Sequence, residues 1–232
     1  MNRKLLITGN LGYVGPVLVK FLRRNYEGIE IIGFDTGFFA HCLTDYSKFP
    51  ETELDKQIFG DIRNFPEDEL KNIDTVIHLS AVSNDPMGNE FEKPTDQINF
   101  QASLNLALLA KKYKVKNFIF ASSCSIYGLA DGPPKTEKDL LNPLTAYARS
   151  KVNTEKKLFE LSKENNNETN FTSLRFSTAC GMSQRLRLDL VLNDFVACAI
   201  ASKNISILSD GTPWRPIIDV EDMARAITWS FS

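Results

Sequence analysis

The chain is poor in the residues that hold small or metal-dependent folds together. Its four cysteines, Cys42, Cys124, Cys180 and Cys198, form no close pair, and its only histidines are His41 and His78. That spacing supports neither a disulfide framework nor a zinc site, so no metal is expected. No apolar run approaches the roughly 20 residues of a membrane span, and Met1 to Thr8 has the pattern of a strand rather than a signal-peptide core. The chain is therefore expected in the cytosol, away from membranes. Positive charge is not in excess: 27 Lys plus Arg stand against 29 Asp plus Glu, a net charge of -2, which argues against nucleic acid as a partner. What is present is an ordinary globular composition, 43% hydrophobic and 24% charged over 232 residues, which excludes disorder and collagen. At that length folding buries roughly 70% of the unfolded surface, enough for one large core without staples.

Hydrophobic periodicity gives the layout. Lys4 to Thr8 reads as a strand ending in Gly9, and Val14, Val17, Leu18, Phe21 and Leu22 follow at helical spacing. Further short runs, Ile29 to Phe34, Gln57 to Gly60, Asp74 to Leu79, Asn117 to Ser122 and Asn170 to Phe176, alternate with loop or helical sequence. Strands alternating with helices predict an α/β fold with a parallel sheet covered on both faces. Long helices are predicted over Pro94 to Lys114 and from about Pro143 to Lys163. The first carries Ala102, Leu104, Leu106, Ala107, Leu108, Leu109 and Ala110 on almost every side. A helix apolar all round needs burial on more than one face, by the sheet and by a second subunit or the rest of the monomer.

The glycines Gly9, Gly12 and Gly15 lie between the first strand and the first helix. In that context Gly9 permits the tight turn, Gly12 lets backbone approach a pyrophosphate, and Gly15 lets helix and strand pack closely. Free N–H groups at the helix start, at Tyr13, Val14 and Gly15, face the anion, and Pro16 is tolerated because its missing donor would have been unpaired there. The spacing is Gly-x-x-Gly-x-x-Gly, and three packing glycines are the plain alternative. Asp35 ends the second strand 20 residues after Gly15, where an acid accepts hydrogen bonds from an adenosine ribose. No Lys or Arg from Asn25 to Ser47 is available for a 2′-phosphate, so NAD is favoured over NADP.

Tyr147 and Lys151 stand four residues apart and share one face of the second long helix. A tyrosine with an ordinary pKa near 10 needs a shift of about three units, roughly 4 kcal/mol, to act as a base near neutral pH, and nearby positive charge supplies the right sign. Alone, this pair occurs often by chance.

Taken together, Gly9-x-x-Gly12-x-x-Gly15, Ser122-Ser123-Cys124-Ser125-Ile126-Tyr127-Gly128 and Tyr147-Ala148-Arg149-Ser150-Lys151 resemble the extended short-chain dehydrogenase/reductase family, over nearly the whole chain. Within it the sequence is most similar to NAD-dependent nucleotide-sugar epimerases and dehydratases. The resemblance implies a Rossmann-type doubly wound sheet, with residues 1–176 binding NAD and residues 177–232 forming a small, partial substrate-binding part. It implies Tyr147 as the catalytic base, Lys151 on the nicotinamide ribose, and Ser123 on the substrate hydroxyl, with Ser125 in reserve. Asp61 and Ile62 would sit at the adenine, the segment His78-Leu79-Ser80-Ala81 would line the cofactor, and Asn99 would order the active-site backbone. Cys124, with no visible partner for nucleophilic catalysis, reads as a packed thiol. A homodimer through the two long helices is implied as well.

Three departures qualify the resemblance. Dehydratases of the family place Thr-Asp-Glu where this chain has Ser123-Cys124-Ser125, which removes the acid and base of dehydration. After the strand ending in Arg175 the family has Asn where this chain continues Phe176-Ser177-Thr178. In the stretch Gly211 to Asp222, Arg215 resembles the arginine that grips the nucleotide diphosphate through a bidentate fork. Asn193, Arg185 and Arg187 are further candidates for diphosphate or sugar, the alternative being a solvated, charged helix start. The sequence ends at Ser232, earlier than the family does. The apolar stripe Met223, Ala226 and Ile227 is thus expected to be partly exposed, the residues after about Gln184 to be the most mobile, and nucleotide-sugar affinity to be weaker than NAD affinity. The expected activity is epimerisation of a nucleotide-diphosphate sugar, with a related dehydrogenase, reductase or dehydratase, or a non-catalytic NAD-binding module, as alternatives.

Overall fold

The computed structural model describes residues 3–83, 90–129, 133–207, 209–212 and 214–232. Six parallel strands form one sheet: β1 (Lys4–Thr8), β2 (Glu30–Asp35), β3 (Lys56–Phe59), β4 (Thr75–His78), β5 (Asn117–Ser123) and β6 (Asn170–Phe176), in the order β3-β2-β1-β4-β5-β6. The order reverses direction between β1 and β4, so the carboxyl ends of those two strands open the crevice in which doubly wound sheets bind ligands. No helix among the described residues is long and apolar enough to cross a membrane.

Alternate residues of each central strand feed two cores. On one face Leu6, Ile32, Val76, Phe118 and Phe120 pack with Leu106, Ala107 and Ala110 of the helix Ala102–Lys112 and with Leu158 and Leu161 of the helix Ala146–Ser162. On the other, Leu5, Ile7, Ile31, Ile77 and Ile119 pack with Leu18, Val19 and Leu22 of α1 (Val14–Asn25). Burial on both faces is why the strands read as continuous apolar runs rather than alternating ones.

The first long helix is interrupted. It runs as α2 (Glu92–Asp96), a π-helical segment Gln97–Gln101, and α3 (Ala102–Lys112). The wide turn sits at Asn99, which is wholly buried and whose backbone carbonyl accepts from the hydroxyls of Ser103 and Thr154. Such single-turn bulges concentrate at functional sites. The second long helix is α4 (Ala146–Ser162), started by Thr145, whose hydroxyl accepts from the Ala148 N–H.

The last part of the chain holds a parallel pair, β7 (Thr178–Cys180) and β8 (Ile217–Asp219), with α5 (Val191–Ala201) between them, and α6 (Val220–Trp229) after them. The expected exposure of the α6 stripe is corrected here. Met223, Ala224 and Ile227 are buried in the same core as α1, so α6 covers one face of the six-stranded sheet although it lies beyond residue 176. Exposed apolar surface appears on α5 instead, at Val196 and Ile200. The Asp219 carboxylate caps α6 by accepting from the Glu221 N–H.

Candidate active site at the switch point

Gly9 leaves β1 with φ +75°, and a Cβ there would stand 2.5 Å from the backbone nitrogen of Ser80 beyond β4. A Cβ on Gly15 would stand 2.0 Å from the backbone oxygen of Asn10. Both positions require glycine for close approach, whereas a Cβ on Gly12 would meet only the Gly9 oxygen, at 3.3 Å, leaving the room that a diphosphate needs. The Tyr13 side chain turns away from the loop: its hydroxyl donates to the Gly181 carbonyl at 2.6 Å, and burial pushes its pKa up. Only the backbone of Tyr13 and Val14 remains for an anion. Asp35 at the end of β2 accepts from the N–H groups of Leu11 at 3.0 Å and Gly37 at 2.8 Å, which ties the glycine loop to the loop after β2.

Asp61 follows β3, its carboxylate held below the usual range by the Arg63 guanidinium, while Ile62 is buried in the core. Leu79, Ser80 and Ala81 follow β4 half-buried. Asn99 clasps this loop through both polar atoms, accepting from the Val82 N–H at 2.8 Å and donating to the Val82 carbonyl at 2.9 Å. Beneath the loop His78 bridges Thr8 and Ser103, 2.7 Å from each hydroxyl. Complete burial pushes its pKa from 6.5 down to about 3, with the Lys151 charge acting in the same direction. Because the native state keeps this ring neutral, its contribution is full above pH 6.5 and is lost as pH falls towards 3, by about 1.4 kcal/mol per unit. Urea unfolding between pH 7 and pH 4.5 is expected to show that loss, and a His78→Gln variant a shallower one; parallel curves would place the pH dependence elsewhere.

The second cluster forms where β5 meets α4. Ser123 ends β5, and its hydroxyl accepts from the Ser125 N–H at 3.2 Å. Lys151 is only 3% exposed; its ammonium donates to the Ala121 carbonyl at 2.7 Å and lies 4.6 Å from the Phe120 ring centre and 5.5 Å from that of Tyr147. Burial lowers its pKa to about 7, against the opposing pull of Glu155. Tyr147 and Lys151 thus meet the carboxyl end of β5, the strand that ends at Ser123, 28 residues before Lys151 in sequence.

The expected substrate contacts divide. Arg215 is exposed on the loop before β8, available to a phosphate; Pro213 of the same stretch lies outside the described residues. Arg185 is a correction. It is 1% exposed, and its guanidinium pairs with both Glu51 oxygens at 2.8 Å and donates to the carbonyls of Phe39 and Ala40, so these N–H groups brace the loop after β2 instead of facing solvent. Asn193 is held by the same segment: its oxygen accepts from the Gly181 N–H, and its nitrogen donates to the Arg187 carbonyl and the Tyr13 hydroxyl. Arg187 pairs with Asp189 and donates to Ser83. These side chains weld the segment from Gly181 to Asn193 onto the loops after β1, β2 and β4. Sequence reasoning missed Glu155 and Arg175, which pair at 2.7 Å beside Lys151; the spacing of Lys151 and Glu155, one helical turn, was the available signal.

A family model described as the NAD dependent epimerase/dehydratase family matches residues 5–232. A putative UDP-glucose 4-epimerase of Methanocaldococcus jannaschii is 28% identical over 230 residues, 96% of this chain and 71% of that protein. A UDP-glucuronate 4-epimerase of Thermodesulfobacterium geofontis is also 28% identical, over 95% of this chain and 69% of its own length. Among solved structures, MoeE5 in complex with UDP-glucose and NAD superposes with a TM-score of 0.84 at 28% identity, covering 99% of this chain and 72% of that one. UDP-glucuronic acid 4-epimerase from Bacillus cereus in complex with NAD gives 0.83 at 25% identity, covering 98% and 72%. The glycine loop, Asp35 and the Tyr147–Lys151 pair fit the cofactor for which the matched family is named, and the chain belongs to the NAD dependent epimerase/dehydratase family.

Proposed function

We propose that the protein epimerises a nucleotide-diphosphate sugar with NAD as a cofactor regenerated in each turnover. The observation that carries this reading is the buried Lys151 ammonium beside the Tyr147 ring at the end of β5, next to Ser123. When bound, nicotinamide supplies reversible oxidation of a sugar carbon. Tyr147 takes the proton of the sugar hydroxyl and later returns it; Lys151 lowers the cost of the phenolate and holds the nicotinamide ribose; Ser123 bonds the reacting hydroxyl. Arg215 grips the diphosphate. The chain's own side chains disfavour dehydration, since Cys124 and Ser125 stand where acid and base are needed. These residues divide the work between an NAD half, residues 1–176, and a substrate part, residues 177–232. The half-exposed Leu108 of α3 and the exposed Phe159 of α4 support a two-fold pairing of these helices between copies, to be read by light scattering.

Incubation with NAD and a panel of UDP-, dTDP-, GDP- and CDP-sugars tests the reading. Epimer formation without net NADH absorbance is expected. Net NADH instead identifies an oxidoreductase, and NAD binding without turnover a binding module. NAD is expected to bind at least tenfold more tightly than NADP, about 1.4 kcal/mol, because Asp35 opposes a 2′-phosphate. Replacing Asp35 with Ala narrows that gap and also loosens the glycine loop it holds through Leu11; equal affinities in the parent protein would overturn the assignment.

A further inference from the structure

Lys151 carries a buried charge, and what surrounds it is set by residues outside the Ser123–Tyr147–Lys151 group. Glu155 lies one helical turn after Lys151 on the same face of α4. Its side chain is 10% exposed, and its carboxylate accepts from Arg175 of β6, Nη2 to Oε2 at 2.7 Å and Nε shared between Oε2 at 3.1 Å and Oε1 at 3.2 Å. Oε1 also accepts from the Ser122 hydroxyl at 2.5 Å. One turn back, Lys151 donates to the carbonyl of Ala121, the neighbour of Ser122. Two successive residues of β5 are thus tied to two successive turns of α4, and the next residue of the strand is Ser123. Arg175 also donates to the Tyr127 hydroxyl at 2.6 Å, at the far end of the turn that Ser123 begins.

The groups around Lys151 can be taken element by element. On α4 they are Tyr147 and Glu155. On β5 they are the Phe120 ring and the Ala121 carbonyl. On β4, His78 is neutral, and on β6 the Arg175 charge is matched by Glu155. Desolvation works against the ammonium, and the Glu155 carboxylate works for it.

We propose that Glu155 is a positioning residue for the reaction, keeping the Lys151 ammonium charged despite its burial and fixing the end of β5 that carries Ser123. The inference rests on the roles of Tyr147 and Lys151 given above. Glu155→Gln keeps the shape and can still accept from Ser122, but removes the negative charge and leaves that of Arg175 unmatched. The limb of the turnover profile that reports loss of the Lys151 proton is expected to move at least one pH unit towards acid. A one-unit shift from about 7 then costs about tenfold at pH 8.5 and about threefold at pH 6.5. Ser122→Ala, which keeps the ion pair, leaves that limb in place. An equal loss at both pH values, or an unmoved limb, overturns the proposal. Should the single variant fail to fold, Glu155→Gln with Arg175→Met leaves no orphaned charge and moves the limb in the same direction by less, because the repulsion of Arg175 goes with the attraction of Glu155.

A second readout is independent of turnover. In protein labelled with 13C-lysine, the resonance that disappears in Lys151→Met is expected to titrate at least one unit lower in Glu155→Gln. If it does not move, the proposal fails even for an active enzyme. If it moves while no nucleotide sugar is turned over, the charge role stands and the epimerase reading fails.

Discussion

Tyr147→Phe is expected to leave NAD binding intact and to lower turnover by about 10²- to 10⁴-fold, the range that a positioned general base supplies. The substitution removes one oxygen. The ring remains, and with it the face that Lys151 approaches to 5.5 Å, so the seat of the ammonium is preserved. The loops built on Gly9, Gly15 and Asp35 are held by backbone contacts and by hydrogen bonds to the Asp35 carboxylate, none of which involves the phenol. What is lost is the group that, in the proposed reaction, accepts the sugar proton. Lys151→Ala is expected to damage both properties, because it removes the cation that stabilises the phenolate and the bond that seats α4 on Ala121. Paired measurements decide it: NAD titration and single-turnover kinetics on each variant. Near-normal turnover in Tyr147→Phe would place the base elsewhere.

Arg185→Ala is expected to destabilise the fold by about 3–5 kcal/mol, the cost of breaking a buried pair and leaving its partner uncompensated. Glu51 would keep its charge without its guanidinium, and the Ala40 carbonyl would lose the Arg185 donor while that of Phe39 keeps the Cys42 N–H. Links from the Thr44 N–H and hydroxyl to the Gln184 carbonyl survive, but without the buried ion pair. Urea unfolding gives the magnitude, and substrate kinetics give the meaning. A substrate-gripping arginine would raise KM with stability unchanged; a brace lowers stability and loosens NAD through the loop that follows Asp35. Unchanged stability with a raised KM would restore the expectation formed from the sequence.

Much of this protein is local chemistry and was legible as such. Strands β1 to β6 were within reach of the apolar runs because the sheet is buried on both faces and tolerates little polar interruption. The glycine loop was legible because its residue type is dictated by backbone crowding: no side chain fits between Gly9 and Ser80. Tyr147 and Lys151 were legible as a pair because helical geometry alone places them on one face. The pattern on α6 marked its apolar stripe, yet the stripe could not name its cover, and α1 proved to be that cover.

The sequence by itself determined the order of strands and helices, the glycines of the first turn, and the helical pairing of Tyr147 with Lys151, because each follows from neighbours within a few residues. Tertiary structure alone decided which arginines are tied to other loops and which face solvent. Arg185 and Arg215 have the same side chain and both reside near the expected substrate part, but one meets Glu51 across 134 positions and the other stays in solvent. Likewise Glu155 became part of the site only when β6 brought Arg175 to it and β5 brought Ser122. A buried charge is defined by what surrounds it, and those surroundings come from segments that the linear order keeps far apart.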